Sequence, residues 1–303
     1  MIKLGLRTVL VLALMTTGCK ASAAAPMTLA DYMALSGPEP SAHITYGPAA
    51  SQYVELFEPA GQGPFPVVVL VHGGCWSKQL EGIVQMRDMA GALAAHGVAV
   101  WNVEYRRADE AGGGYPGTYQ DINAALAALQ ANAARYRLDT RRIVAMGHSA
   151  GGHLVQWIAG RSRLPANSPL KVADPLPVGE IVSLGGLADL RGQAEQIRTA
   201  CDIDVARLTG SPSAERLDPF ADTSPAELTP NGSHTVLING ALDTISPPAL
   251  ASTYAELARK AGDKAETIVL PNASHFDEVA TRSPAWKITL PIVLKALGEP
   301  AAK

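Results

Sequence analysis

The sequence holds little that would ligate a metal, meet a nucleic acid or cross a membrane. No C-x-x-C and no H-E-x-x-H occurs, so the paired spacings that hold zinc are missing, and neither a metal nor another cofactor is expected. Cysteine is scarce: Cys19, Cys75 and Cys201 are the three present. The separation of Cys75 and Cys201 says nothing about their mutual geometry, so both read as free thiols, although export would permit a disulfide. Charged residues make up 17% of the chain, the net charge is −3, and the Lys and Arg residues are scattered. With no basic stripe to meet a phosphate backbone, a nucleic-acid partner is excluded. The apolar runs fall well short of the roughly 20 residues that a membrane-spanning helix needs. There is no internal repeat, and nothing in the pattern speaks to oligomeric state.

What is present is a globular composition: 303 residues, 47% of them hydrophobic, enough to bury a sizeable core. The first 25 residues stand apart. Lys3 and Arg7 precede a short apolar run, Thr8–Met15, followed by small residues, which is the layout of a secretory signal. Two exits are open. "TTGC" resembles a bacterial lipoprotein signal, in which Cys19 becomes a lipidated first residue and a membrane tether. "ASA" and "AAA", residues 21–25, resemble ordinary signal-peptidase sites. The expectation is an exported chain, periplasmic or membrane-anchored. Removing residues 1–18 takes away two cations and no acid, so the charge of −3 becomes −5.

From residue 26 to 303 apolar strands alternate with helical patterns, and one domain is expected. "YVELFEP" from Tyr53 alternates like a half-exposed strand, and "PVVVLVH", 66–72, is a continuous run suited to a strand covered on both faces. Residues 81–97 read as a helix stopped by Gly97, 98–105 as a strand, and the stretch from Tyr119 as a helix with Ile122, Ala125, Leu126 and Leu129 on one face. Further strands follow at 141–147, 180–186, 234–240 and 265–271, with helices at 248–262 and 284–298, the latter containing Pro291. This rhythm implies an α/β fold with a mostly parallel central sheet and helices on both faces. The stretch from about 190 to 230 breaks it and reads as a polar, lid-like excursion.

Gly147-His148-Ser149-Ala150-Gly151 is a G-x-S-x-G placed between a strand and a helix. In such an elbow the serine sits on a strained turn that lifts its hydroxyl above the sheet, and the glycines remove side chains that would collide there. A serine nucleophile needs a base, and the base an orienting acid. Of the seven histidines, His275 follows the last strand at the end where open α/β sheets place their sites. His148 and His153 flank the elbow and read as structural, while His43, His96 and His234 need no catalytic role. Asp243, after the preceding strand, is the favoured acid over Asp189, one strand earlier; Asp277 and Glu278 lie too near His275 in sequence to reach round it. The chain order Ser149, Asp243, His275 is that of the α/β-hydrolase architecture. "LVHGGCW", 70–76, ends a strand with Gly73 and Gly74, whose N–H groups could join that of Ala150 in an oxyanion hole, with His72 bracing the loop and Trp76 lining an acyl pocket or merely packing.

"HGGCW", "VEYRR", "GGGYPGTYQDI", "GHSAGGHL" and "NGALDTISPP" together resemble the esterase/lipase branch of the α/β-hydrolases that contains kynurenine formamidase-like and feruloyl esterase-like enzymes. The resemblance covers roughly Ile44 to Leu297. It implies a serine hydrolase acting on a small-molecule ester or amide, without a cofactor. Cys75 departs from it, since an aromatic residue is frequent there in this branch. A small or aryl carboxylic ester is the expected substrate, an N-formylkynurenine-type amide the runner-up, and a non-catalytic binding module the reading from another class. The G-x-G-x-x-G at Gly112–Gly117 stands several residues from the preceding strand and holds Pro116, which argues for a loop and not a dinucleotide site.

Overall fold

The computed structural model describes residues 25–80 and 82–298. The leader and Cys19, to which the export and tether expectations attach, lie outside the described residues. In chain order the elements are α1 (Leu29–Met33), β1 (Ala42–Thr45), β2 (Tyr53–Phe57), β3 (Phe65–Val71), α2 (Arg87–Ala95), β4 (Ala99–Val103), α3 (Gly117–Asn132), β5 (Leu138–His148), α4 (Ala150–Gly160), β6 (Glu180–Leu184), α5 (Ala194–Cys201), α6 (Ala206–Thr209), β7 (His234–Gly240), α7 (Pro248–Ala261), β8 (Lys264–Leu270) and α8 (Trp286–Ala296). The strands form one sheet in the order β1-β2-β4-β3-β5-β6-β7-β8, parallel from β4 through β8 and antiparallel at β1, β2 and β4.

The twofold period of a strand sends alternate residues to opposite faces, and here both faces are covered. Val67, Val69 and Val71 of β3 join Ala145 of β5 in a core beneath α3 and α4, with Ile122, Leu126, Leu154 and Trp157. Val68 and Leu70 join Val144 and Met146 in a second core beneath α2 and α8, with Met89, Leu93, Val293 and Leu294. All seven residues of β3 are therefore buried, as its unbroken apolar run requires. Parallel strands that share one direction bring their C-terminal ends, and the loops leaving them, to one edge of the sheet.

Several elements differ from the sequence reading. β2 is buried from Val54 through Phe57 and is not half-exposed. It lies between β1 and β4, and its Glu55 is covered because Arg87 of α2 forks onto the carboxylate at 2.5–3.1 Å. β1 escaped notice as a four-residue edge strand; its His43 ring stacks on Tyr53 at 4.1 Å. The helix expected over 81–97 begins with a 3₁₀ turn at Val84–Met86 and becomes α-helical at Arg87. The free-thiol reading of Cys75 and Cys201 is overturned. The two form a disulfide across 126 residues of sequence, because the turn after β3 and the C-terminus of α5 meet with their Cα atoms 5.2 Å apart. The lid-like 190–230 stretch also carries buried apolar anchors. Leu190, Ile197, Leu208 and Leu228 are buried in the α3–α4 core.

Candidate active site

β5 runs directly into Ser149, whose backbone takes φ 53° and ψ −117°, a conformation that costs a non-glycine residue about 1–3 kcal/mol. The neighbouring glycines explain how the turn fits. A Cβ on Gly147 would stand 2.3 Å from Gly151 O, and one on Gly151 only 2.1 Å from Val71 O. The serine N–H is tied to Leu184 O of β6 at 2.8 Å. Ala150 opens α4, so its N–H belongs to the helix turn that lacks intrahelical acceptors and carries the positive end of the dipole.

His275 and Asp243 arrive on the loops leaving β8 and β7. Nδ1–H of His275 donates to Asp243 Oδ2 at 2.7 Å, and both side chains are almost wholly buried. The other carboxylate oxygen accepts the Ile245 and Ser246 N–H groups, each at 2.8 Å, which fixes its plane. Asp189, the alternative acid, accepts the Gly192 N–H in its own turn. Ser149, His275, Gly74 and Cys75 line one cavity of about 100 Å³, together with Leu29, Tyr32, Leu80, Ala200 and Ile245. That is small beside the roughly 300–1,000 Å³ of ordinary ligand pockets.

The turn after β3 is held from behind. His72 Nδ1 lies 2.7 Å from Gly73 O and its Nε2 2.9 Å from Glu104 Oε1, and the ring stacks on Tyr105. Burial acts to raise the Glu104 carboxyl, but the charges of His72 and Arg107 and the Tyr105 N–H outweigh it and hold the group below its ordinary value. A Cβ on Gly73 would meet the Ser149 Cβ at 2.9 Å, so the turn passes directly over Ser149. Gly74 has φ +105°, which suits a residue without a side chain. Trp76 packs in the core and does not line the cavity.

The flanking histidines are bound elsewhere. His148 Nε2–H donates to the His275 carbonyl at 3.0 Å and so braces His275 from its backbone; burial, then the neighbouring His275, pushes this ring's pKa well down and keeps it neutral. His153 donates to Leu187 O and accepts from the Tyr119 hydroxyl, with burial lowering it to about 4. Among the described residues, His148, His275 and Glu278 form the one grouping with metal-ligand spacing, within 4.8 Å of one another, yet His148 Nε2 and His275 Nδ1 are already committed.

Two contributors were missed from sequence. Glu278 is buried, accepts the Gly240 N–H at 2.7 Å and so links the loop of His275 to the end of β7; its second oxygen has no partner among the described residues. Burial, and then the adjacent Asp243 charge, pushes its carboxyl well above the ordinary range, so it is held neutral. As its nearness to His275 in sequence implied, Glu278 is not the partner of the His275 ring, which is Asp243; it instead ties the His275 loop to the end of β7. The second contributor is α1, whose Leu29 and Tyr32 wall the cavity. Its signal was the capping-box spacing of Thr28 and Asp31, whose side chains bond each other's backbone N–H.

A serine elbow between β5 and α4, with an Asp–His pair delivered by the last two strands of a mostly parallel sheet, defines an α/β-hydrolase. Solved structures share this fold. An inhibited esterase B from Lactobacillus rhamnosis superposes with TM-score 0.72 at 20% identity over 89% of this chain and 90% of that one. Esterase 2 of Thermogutta terrifontis, phosphoramylated by tabun, gives 0.68 at 21% identity over 88% and 98%. The chain belongs to the BD-FAE family, whose sequence model matches residues 54–257. Among curated relatives, Esterase LipC of Mycobacterium tuberculosis (strain ATCC 25618 / H37Rv) is 27% identical over 248 residues, 77% of this chain. Carboxylesterase NlhH of Mycobacterium tuberculosis (strain CDC 1551 / Oshkosh) is 38% identical over 113 residues, 37% of this chain. The matches span 59% and 34% of the lengths of those two relatives.

Proposed function

We propose that the protein is a serine hydrolase that cleaves small or aryl carboxylic esters through an acyl-enzyme on Ser149. The observation that carries this reading is the buried 2.7 Å bond from His275 to Asp243 at the cavity that Ser149 lines. In this reading His275 takes the Ser149 proton as the hydroxyl attacks the acyl carbon, and Asp243 holds the imidazole with its other nitrogen facing the serine. The N–H groups of Gly73, Gly74 and Ala150 meet the oxyanion. The tetrahedral adduct collapses, the alcohol leaves with the proton from His275, and water repeats the sequence on the acyl-enzyme. The small cavity favours a short acyl group. The charges of the 190–230 stretch are consistent with this: Arg191 pairs with Asp218 and Glu227, and Arg216 with buried Asp222. Turning such a surface toward oil would strip water from its charges, so an interfacial lipase is disfavoured.

The names of the relatives support the ester class. Export is proposed with it: the leader resembles a secretory signal, and a disulfide persists in oxidising compartments. Anchoring through a lipidated Cys19 is part of that proposal, and intact-mass analysis of the mature N-terminus distinguishes it from cleavage near Ala25. The test of function is Ser149→Ala. It is expected to remain folded and to lose roughly a thousandfold or more of nitrophenyl acetate turnover. Near-normal turnover by the variant would refute the nucleophile.

A further inference from the structure

We propose that the Cys75–Cys201 disulfide sets acyl-chain specificity, as the wall between the catalytic cavity and a larger neighbouring groove. The proposal rests on the ester-hydrolase reading above. Cys75 follows Gly74 in chain and lines the catalytic cavity with Ser149. It also lines, now with Cys201, a groove of about 480 Å³ in which apolar Leu80, Ala108 and Ile203 stand beside Asp109, Asp202, Asp204 and Arg207. Leu80 is the other residue common to both spaces. The bond therefore stands where an acyl chain longer than the cavity would have to pass.

What the bond joins explains why it fixes the wall. Cys201 is the last residue of α5, and the next residue, Asp202, is exposed with φ 51°, so the helix ends there. Further up α5, Ala200 lines the cavity, Ile197 is buried in the core, and Gln196 donates to Thr244 O and Ile245 O at 2.9 and 2.8 Å in the loop that carries Asp243. α5 thus spans from the acid loop to the turn after β3, and its C-terminal end is fastened covalently. With the bond intact, the turn and the helix end cannot separate. With it cut, two thiols face each other across van der Waals contact and the helix end is free to give way.

Opening the wall needs a dithiol reductant. Its thiolate attacks one sulfur and expels the other, giving a mixed disulfide. Its second thiolate then displaces the remaining protein sulfur, so that the reagent leaves as a cyclic disulfide and Cys75 and Cys201 end as thiols, having gained two electrons and two protons in all.

The experiment measures kcat/KM for nitrophenyl acetate, butyrate and hexanoate, each below its solubility limit. It uses the oxidised protein, the dithiol-reduced protein with its free thiols counted, the reoxidised protein, and the Cys75→Ala, Cys201→Ala double variant. Each methylene that packs on the apolar part of the groove, Leu80, Ala108 and Ile203, gains up to about fourfold. The acetate-to-hexanoate ratio is therefore expected to fall roughly tenfold on reduction and in the double variant, and to recover on reoxidation. A ratio that stays within about twofold while acetate turnover persists overturns the proposal. So does a proportional loss on all three esters, since the bond would then only hold the oxyanion turn in place. If the double variant does not fold, the reduced and reoxidised protein carries the comparison alone. If the oxidised protein hydrolyses none of the esters, the function reading fails first. Amide exchange over residues 194–203 then decides the wall separately: faster exchange on reduction supports it, and unchanged exchange overturns it.

Discussion

Gly151 cannot carry even a methyl group, because the backbone oxygen of Val71 occupies the place its Cβ would take. The elbow is thus specified by what its residues lack, and the groups beneath the His–Asp pair show the complementary case, in which a side chain's charge state is specified. Asp243→Asn should cost on the order of ten-thousandfold in kcat, through loss of the correct imidazole tautomer, while Asp189→Asn, whose carboxylate serves its own turn, should cost little. The comparison is a single steady-state assay on both variants. Glu278 gives a prediction of opposite flavour. Its carboxyl is raised by burial and then by Asp243, so above the ordinary range near 4.5 the unfolded chain releases a proton that the native state keeps. The native protein therefore loses up to about 1.4 kcal/mol of stability for each pH unit until the folded group titrates. Glu278→Gln keeps a neutral side chain without that slope. Urea denaturation between about pH 5 and pH 8 should show the variant gaining on the parent as pH rises. A difference that is flat in pH would mean that the group is already ionised in the fold.

At the scale of elements, β7 and α7 are legible almost to the residue, because a β-branched run ends at Gly240 and a proline opens the helix at Pro248. The elbow and the two loops that bring Asp243 and His275 together are legible for a related reason: each follows a strong strand at its C-terminal end. β1 is too short to show a period. Glu55 reads as a solvent-facing residue because its partner Arg87 is 32 residues away, and Glu278 as an irrelevant neighbour because sequence distance does not show which face of a loop it takes. The same blindness hides the buried anchors of the 190–230 stretch, where charge suggests a lid. Its ion pairs differ sharply in setting. Arg191 pairs with half-exposed Asp218 and Glu227, so Arg191→Ala should cost under about 1 kcal/mol. Arg216 faces the buried Asp222, which also accepts the Ser168 hydroxyl, so Arg216→Ala strands a buried carboxylate and should cost about 3–5 kcal/mol. Equilibrium unfolding of the two variants checks the contrast.

Over the whole molecule, stability rests on the two cores against the sheet faces, on a smaller cluster between α7 and strands β7 and β8, and on His148 and His153, which fold in neutral form. His153 is lowered by burial from 6.5 to about 4, and burial, then the neighbouring His275, also lowers His148 well below its ordinary value. Because the unfolded chain takes up these protons first, the stability is fully present above about pH 6.5 and is lost as pH falls toward 4. His153 alone accounts for a loss on the order of 3 kcal/mol across that window. Glu278 offsets part of this loss above about pH 4.5, so unfolding midpoints should fall most steeply at the acid end of the window, and His153→Gln should flatten part of the decline. A midpoint that holds constant to about pH 4 would show that the protein opens to accept these protons without unfolding.

The amino-terminal helix has a bearing on where this site can work. Asp277, beside the base, accepts the Met27 N–H, and the Ser274 hydroxyl donates to the Met27 carbonyl. The start of the described chain is therefore clamped to the catalytic loop, and α1 continues from it across the cavity. Seven residues lie between Cys19 and Met27, which makes eight Cα-to-Cα steps. Even drawn out fully, at about 3.5 Å each, they reach roughly 28 Å. An acyl anchor at Cys19 would thus act as a short leash attached at the mouth of the site, and the enzyme would sample esters from the water layer that coats the membrane in preference to those in bulk solution.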